Sequence, residues 1–346
     1  MRPAAVRLAF PLRISATIGG CRYGGEQDSV APQQGASART GRMHVSPSND
    51  PIRIFDRALL AQRRRRAAPG ATAHDFLLER ASDDIAERLA IVRRRFPLAA
   101  NIGAHHGVLS RRILGVAGIA RVIDVDATAS LLGRAGEPDL RVVADEEALP
   151  FADASLDLAV SALSLHLVND LPGVLLQIRR ALKPDGLLLA SMLGGASLNE
   201  LRTAWLEAEA EVTGGASPRV APFADVRDMG ALLQRAGFAL PVVDSETVTV
   251  TYADPLALMR EIKGMGASNM LLARRRTPVT RGLLLRAAEI YGERFAGANG
   301  RVPATFEILT LTAWAPDPSQ PKPLRPGSAT ARLADALGVK ERKLGE

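Results

Sequence analysis

The sequence predicts an α/β fold: a mostly parallel sheet with a helical cap inserted before the last strand. Two observations predict it. From residue 98 to residue 192, short apolar runs alternate with helix-period segments at the pitch of βαβ units. Beyond residue 192 the rhythm changes, and about fifty residues with two helix-like stretches separate two alternating strands.

Taken in order, Leu78, Ile85, Leu89, Val92 and Phe96 recur at helical spacing between Asp75 and Phe96, and Pro97 is expected to stop that helix. Leu98–Ile102 reads as a buried strand, Val108–Leu114 as a helix, Ala120–Asp124 as the second strand, Ala127–Leu132 as a helix and Leu140–Val143 as the third strand. Leu156–Ser161, Pro172–Leu182 and Leu187–Met192 follow as strand, helix and strand. Ser197–Val212 and Asp225–Ala236 are helical in period, and Val242–Tyr252 and Thr305–Trp314 alternate as half-buried strands. The cap between them, about 253–303, carries helix-like stretches at Leu256–Ile262 and Arg281–Phe295.

Charge divides the chain of 346 residues into a body and two tails. Residues 1–50 hold six Arg against three acids, residues 320–346 hold six Lys or Arg against three acids, and 51–319 is nearly neutral with 32 basic and 31 acidic residues. The sequence pI near 10.1 therefore belongs to the tails. A neutral body with only 4% aromatic residues excludes a nucleic-acid partner. No run approaches the length of a membrane span. Cys21 is the only cysteine, which excludes an intrachain disulfide, a Cys-based zinc site and a core thiol nucleophile. Residues 1–50 are expected to be a disordered or over-extended start, with Met43 as the initiator; an Arg-rich transit peptide is the alternative. Arg outnumbers Lys by 39 to 5, as in GC-rich bacterial genomes. The compartment is then the cytoplasm or the inner-membrane surface of a bacterium, or the mitochondrial matrix if residues 1–42 are a transit peptide. Residues 320–346 read as a Pro-rich basic tail.

The chemistry gathers at the carboxyl ends of the first four strands, where ligands sit in such sheets. Asn101-Ile102-Gly103-Ala104-His105-His106-Gly107 closes the first strand and opens a helix, so backbone N–H groups there can approach a polar ligand. Asp124, 21 residues after Gly103, stands at the spacing of an acid that binds both ribose hydroxyls of an adenosine cofactor, with Val125 beside it and Asp126 as the alternative acid.

With Ala144-Asp145-Glu146-Glu147-Ala148-Leu149-Pro150-Phe151, Asp157 and Lys183-Pro184-Asp185-Gly186, these segments resemble the Rossmann-like class I S-adenosylmethionine (SAM) methyltransferases. That resemblance implies SAM as cofactor and Asp145, with Glu146, near the adenine amino group; Ser161 closes strand four beside the same site. Asn101 stands where the family usually has an acid, and His105 where it has glycine. If position 105 needs positive φ, histidine costs more than glycine.

A closer similarity runs from about Ile54 to Ala329. Ile54-Phe55-Asp56-Arg57, Leu163-Ser164-Leu165-His166-Leu167-Val168-Asn169-Asp170-Leu171-Pro172, Ser217-Pro218-Arg219-Val220-Ala221-Pro222-Phe223, Gly264-Met265-Gly266-Ala267-Ser268-Asn269 and Val302-Pro303-Ala304-Thr305-Phe306-Glu307 look like the bacterial relatives of mitochondrial complex I assembly factor five. This implies an enzyme modifying a protein, an arginine on a complex I iron–sulfur subunit. Malonyl-carrier-protein methyltransferase is also similar, implying a small or carrier-bound carboxylate as acceptor; a non-catalytic SAM-binding chaperone is the third reading. His166 is either a general base or a locally packed side chain. A two-His-one-carboxylate iron site from His105, His106, His166 and an acid is set aside, because adjacent histidines point apart, and no metal is expected. Arg63–Arg66 and Arg274–Arg276 read as solvated faces, and Trp205 and Trp314 as packing.

Overall fold

The crevice that a parallel sheet opens where its strand order reverses lies here between two very apolar strands. Ala99, Ala100 and Ile102 of β1 (Leu98–Ile102) and Leu158–Val160 of β4 (Leu156–Ala162) are buried, as strands covered on both faces must be. The computed structural model describes residues 53–134 and 140–321, with Asp335 and Gly338. Residues 1–50 and 322 onward, apart from those two, carry the expectations about the start and the basic tail, which lie outside the described residues.

β2 (Arg121–Asp126), β3 (Leu140–Val143) and β5 (Leu182–Leu193) complete the parallel part. The sheet has seven strands in the order β3-β2-β1-β4-β5-β7-β6, with β7 (Val302–Trp314) antiparallel to β5 and to β6 (Ala239–Tyr252). α1 (Arg57–Ala67), α2 (Phe76–Ile91), α3 (Val108–Ile113), α4 (Ala129–Leu132) and α5 (Leu171–Ala181) accompany the parallel strands. α5 shows why the local sequence suffices: Asp170 caps Gly173 N–H, Pro172 sits in the first turn, and Val174, Leu175, Ile178 and Ala181 form one buried stripe.

Several boundaries differ from the sequence expectation. α2 ends at Ile91, six residues before Pro97, with Val92 already extended. Phe96 uses the intervening turn to bury its ring against Trp314 and to donate its N–H to Ala117. β2 runs two residues past Asp124, to Asp126. β5 starts at Leu182, pairing across a bulge, so Lys183–Gly186 lies within it rather than before it. α1 had no apolar period to announce it.

The long hairpin β6–β7 decides where the cap sits. Ile308–Trp314 of β7 pairs with β5, but Val302–Glu307 runs on with only β6 as a strand partner. The chain leaving β5 covers the vacated edge: Gly194 N–H bonds Glu307 O at 2.9 Å and Leu198 N–H bonds Thr305 O at 2.7 Å. On this overhang α6 (Asn199–Thr213), α8 (Pro255–Gly264) and α9 (Arg281–Phe295) bury a second core around Leu201, Leu258, Tyr291 and Phe306. α7 (Val226–Arg235) packs instead on the main core through Met229 and Leu233.

Phe306→Ala is expected to lower the unfolding free energy by about 3–5 kcal/mol. Tyr291→Phe, which loses only the hydroxyl bond to Pro303 O, should cost about 1 kcal/mol. Urea melts followed by circular dichroism check both.

Candidate functional site

Three cavities lie in a row along the carboxyl ends of the strands. The first, about 200 Å³, is floored by Ala127, Thr128, Asp145 and Glu146 and roofed by α1 through Arg57, Ala58 and Ala61. The second, about 110 Å³, is lined by His105, His106, Leu131, Leu163 and His166. Arg64 borders both. The third, about 240 Å³, lies under the cap and shares Leu77, His166, Leu167 and Met265 with the second.

The loop after β1 makes close approach possible. Gly103 has φ +69°, and a Cβ there would meet Ser164 Oγ at 2.1 Å. Gly103 and Ala104 donate N–H bonds to Val125 O at 2.8 and 2.9 Å, which ties the loop to β2. Position 105 does require positive φ: His105 sits at +52° and Gly107 at +75°. The histidine is therefore a strained substitute for glycine, and its Nε2 is buried without a hydrogen-bond partner beside the second cavity.

Asp124 is the acid expected at the ribose, and its Oδ2 is buried without a hydrogen-bond partner. It is fully buried and lines none of these three cavities; its Oδ1 accepts from Ser110 Oγ and, at 3.2 Å, from Asn101 Nδ2. Burial raises its pKa against those bonds. Asn101 and Asp124 therefore join β1, β2 and α3 to one another. β2 continues to Asp126, which is equally buried but stands next to the segment that lines the first cavity. Asp126 accepts from His105 N–H at 3.0 Å and Thr128 N–H at 2.7 Å, and adjoins cavity-lining Ala127 and Thr128. Ser161 is also structural, donating to Ile102 O at 2.7 Å across the β1–β4 seam.

Two arginines of α1 reach the acids. Arg57 Nη2 is 2.7 Å from Asp145 Oδ1 and also contacts Glu146. Arg64, 5% exposed, lies 3.4 Å from Glu146, 3.9 Å from Asp126 and 3.4 Å from Ser164 Oγ. The Arg63–Arg66 run is thus not simply a solvated face, since every fourth residue of a helix shares one side and position 64 faces inward with 57 and 60. Burial would raise Glu146, but Arg64 and Arg57 outweigh it and hold the carboxyl at about 2. Asp126 is raised by burial despite Arg64, with Glu146 adding to the rise.

His166 lies at the junction of the second and third cavities. Its ring stands edge-on to Phe223 at 5.4 Å, and Nδ1 faces Leu193 N–H at 3.5 Å. Burial and Arg64 hold it at about 3, and His105 is lowered to about 3 by burial, Arg64 and His106. Both are neutral imidazoles at pH 7, so His166 is a hydrogen-bonding wall rather than a strong base. His106 Nε2 lies 3.0 Å from Asp75, and both residues line the second cavity. Among the described residues no three His, Cys, Asp or Glu side chains converge on a metal position. Sequence reasoning missed Arg64, Asp75 and Thr128; the only signal was Arg57 within the Ile54–Arg57 segment.

Arg64→Met should destabilise the protein by about 3–5 kcal/mol, because Glu146 is left buried with less compensation. Adding Glu146→Gln should restore part of that loss in a double-mutant cycle of urea melts. On acidification, His105 and His166 stay neutral while their unfolded counterparts gain protons below about pH 6.5. Stability should therefore fall from there toward pH 3, at up to about 1.4 kcal/mol per pH unit for each histidine. His166→Gln should flatten that slope. Glu146 adds a further loss as pH drops from about 4.5 toward 2.

Residues 100–190 match a family model described as a methyltransferase domain. The chain is 38% identical over 312 residues to the mitochondrial arginine-hydroxylase NDUFAF5 of Danio rerio, spanning 89% of this chain and 96% of that one. It is 39% identical to the Homo sapiens protein over 88% of this chain and 86% of that one. A malonyl-[acyl-carrier protein] O-methyltransferase of Halorhodospira halophila is 37% identical over 67% of this chain and 79% of its own length. With 86–96% of those relatives covered at 38–39% identity, the chain belongs to the enzyme family of methyltransferase-like fold that includes arginine-hydroxylase NDUFAF5.

Proposed function

We propose that this protein binds SAM along the first two cavities and modifies an arginine of a protein, on a complex I iron–sulfur subunit during respiratory complex assembly. The observation that carries the reading is the extent of the relationship: the Danio rerio arginine-hydroxylase is matched over 89% of this chain at 38% identity, against 67–77% of it at 31–37% identity for relatives named as malonyl-carrier O-methyltransferases. The residues fit an adenosine cofactor. Thr128 Oγ1, on the wall of the first cavity, and His105 Nε2, on that of the second, are buried polar atoms without partners.

Asp126 is the residue we assign to the ribose hydroxyls and Asp145 to the adenine amino group, with Gly103, Ala104, His105, Gly107, Val125 and Glu146 forming the cradle. When bound, SAM supplies an electrophilic sulfonium-bound methyl. The chain's part is positional: α1 closes the adenosine end, the β1 loop supplies close backbone, and His166 and Leu163 exclude water from the far end. Alignment and desolvation are the main demands that methyl transfer makes on a protein. Among the described residues no helix is long and apolar enough to cross a membrane.

Asp126→Ala should weaken SAM binding at least tenfold in calorimetry, and Asp124→Ala should lower stability with a smaller effect on affinity. Undetectable binding by the wild-type protein would sink the cofactor assignment. Mass spectrometry of the iron–sulfur subunit from cells with and without the gene tests the acceptor: the reading requires an arginine oxygen or methyl that disappears with the gene.

A further inference from the structure

The cavity under the cap, which no step above uses, differs in chemistry from the site beside it. It measures about 240 Å³, and among the described residues no carboxylate lines it. The arginine on its wall, Arg219, is already neutralised. Its Nε lies 2.8 Å from Oε1 of Glu209, and its guanidinium stacks 4.8 Å from the Trp205 ring centroid. Glu209 is itself 1% exposed and accepts Ser217 Oγ at 2.8 Å. The pair is closed on itself, with Trp205 covering the cation.

That neutrality decides what the cavity can hold. A guanidinium placed there would be desolvated with no carboxylate to meet it, and a carboxylate would find Arg219 taken. An uncharged apolar group meets no such penalty. The wall supplies Met259, Met265 and Met270 along with Phe223 and Phe306. Unbranched thioethers repack around apolar ligands of varying shape. The inner end of the cavity is His166, shared with the neighbouring cavity.

We infer that the cap cavity is a binding site for the uncharged hydrocarbon chain of a small molecule, with its inner end against His166. The inference goes beyond the arginine reading and does not rest on it; it requires a substrate guanidinium to be held outside this cavity.

The full-length protein is titrated with N-phenyl-1-naphthylamine, an uncharged fluorescent probe, and the probe is displaced with 1-alkanols. The expected result is saturable binding, with alkanol affinity rising about fourfold per methylene from butanol until the cavity is filled. Butylguanidinium, which resembles the end of an arginine side chain, should displace the probe at least tenfold more weakly than pentanol. Val220→Trp and Met270→Trp, which fill the cavity, should each weaken the probe at least tenfold while calorimetry with SAM is unchanged. Several results would overturn the inference. One is the absence of saturable binding, or a flat chain-length series, in protein that unfolds cooperatively; the cavity would then belong to a side chain of a protein substrate. Equal displacement by butylguanidinium, or a folded tryptophan variant that still binds the probe, would do the same. If neither variant folds, the wild-type alkanol series decides. Failure of wild-type protein to bind SAM bears on the cofactor reading alone.

Discussion

Two buried carboxylates and the cation between them hold the site together. Asp126, at the end of β2, and Glu146, in the segment after β3, are both fully buried, and Glu146 penalises ionisation of Asp126. Arg64 lies within ion-pair reach of both, and Arg57 adds a second guanidinium on Glu146 and Asp145. Buried ion pairs contribute little net stability, because desolvation cancels much of the attraction. Their consequence here is specificity of placement. α1 has exposed arginines on its outer side and little apolar surface of its own, so its position over the cavities depends strongly on those acids. Asn169 fixes the approach by accepting N–H bonds from Ile54 and Phe55 at 2.8 and 2.7 Å.

The second constraint is the mismatch between β5 and β7. β5 ends at Leu193, opposite Ile308, while β7 extends to Val302 on the other side of that pair. An edge of unpaired strand must be covered or satisfied. The segment 194–198 and then α6 do this, and Thr305 is further held by Glu200. The cap is thus attached to the sheet's own overhang rather than by a flexible stalk. The third cavity consequently opens beside the carboxyl ends of the central strands, next to His166.

These two devices produce neighbouring environments of opposite character within one crevice. At one end, acids and arginines are packed in a polar, ion-paired pocket. At the other, an internally neutral pocket is walled by methionine and aromatic side chains. His166 stands between them as a neutral imidazole, which lets it touch both without carrying charge into the apolar side.

Much of the parallel sheet was legible from residue order alone, because both faces of strands such as Leu156–Ala162 are buried and their apolar runs are continuous. Helices with a clear stripe and cap, such as α5 and α9, could be read for the same local reason. The glycine turn at Gly103–Gly107 was also legible, because positive φ restricts residue type. Tertiary structure decided the rest. Whether Asp124 or Asp126 stands at the end of β2 depends on how far the strand remains paired with β3, and Asp126 still pairs with Val143. That Arg64 is buried while Arg65 and Arg66 are exposed depends on acids more than sixty residues away. An arginine carries no local mark of its distant partner, so no pattern along the chain could distinguish the ion-paired residue from its solvated neighbours.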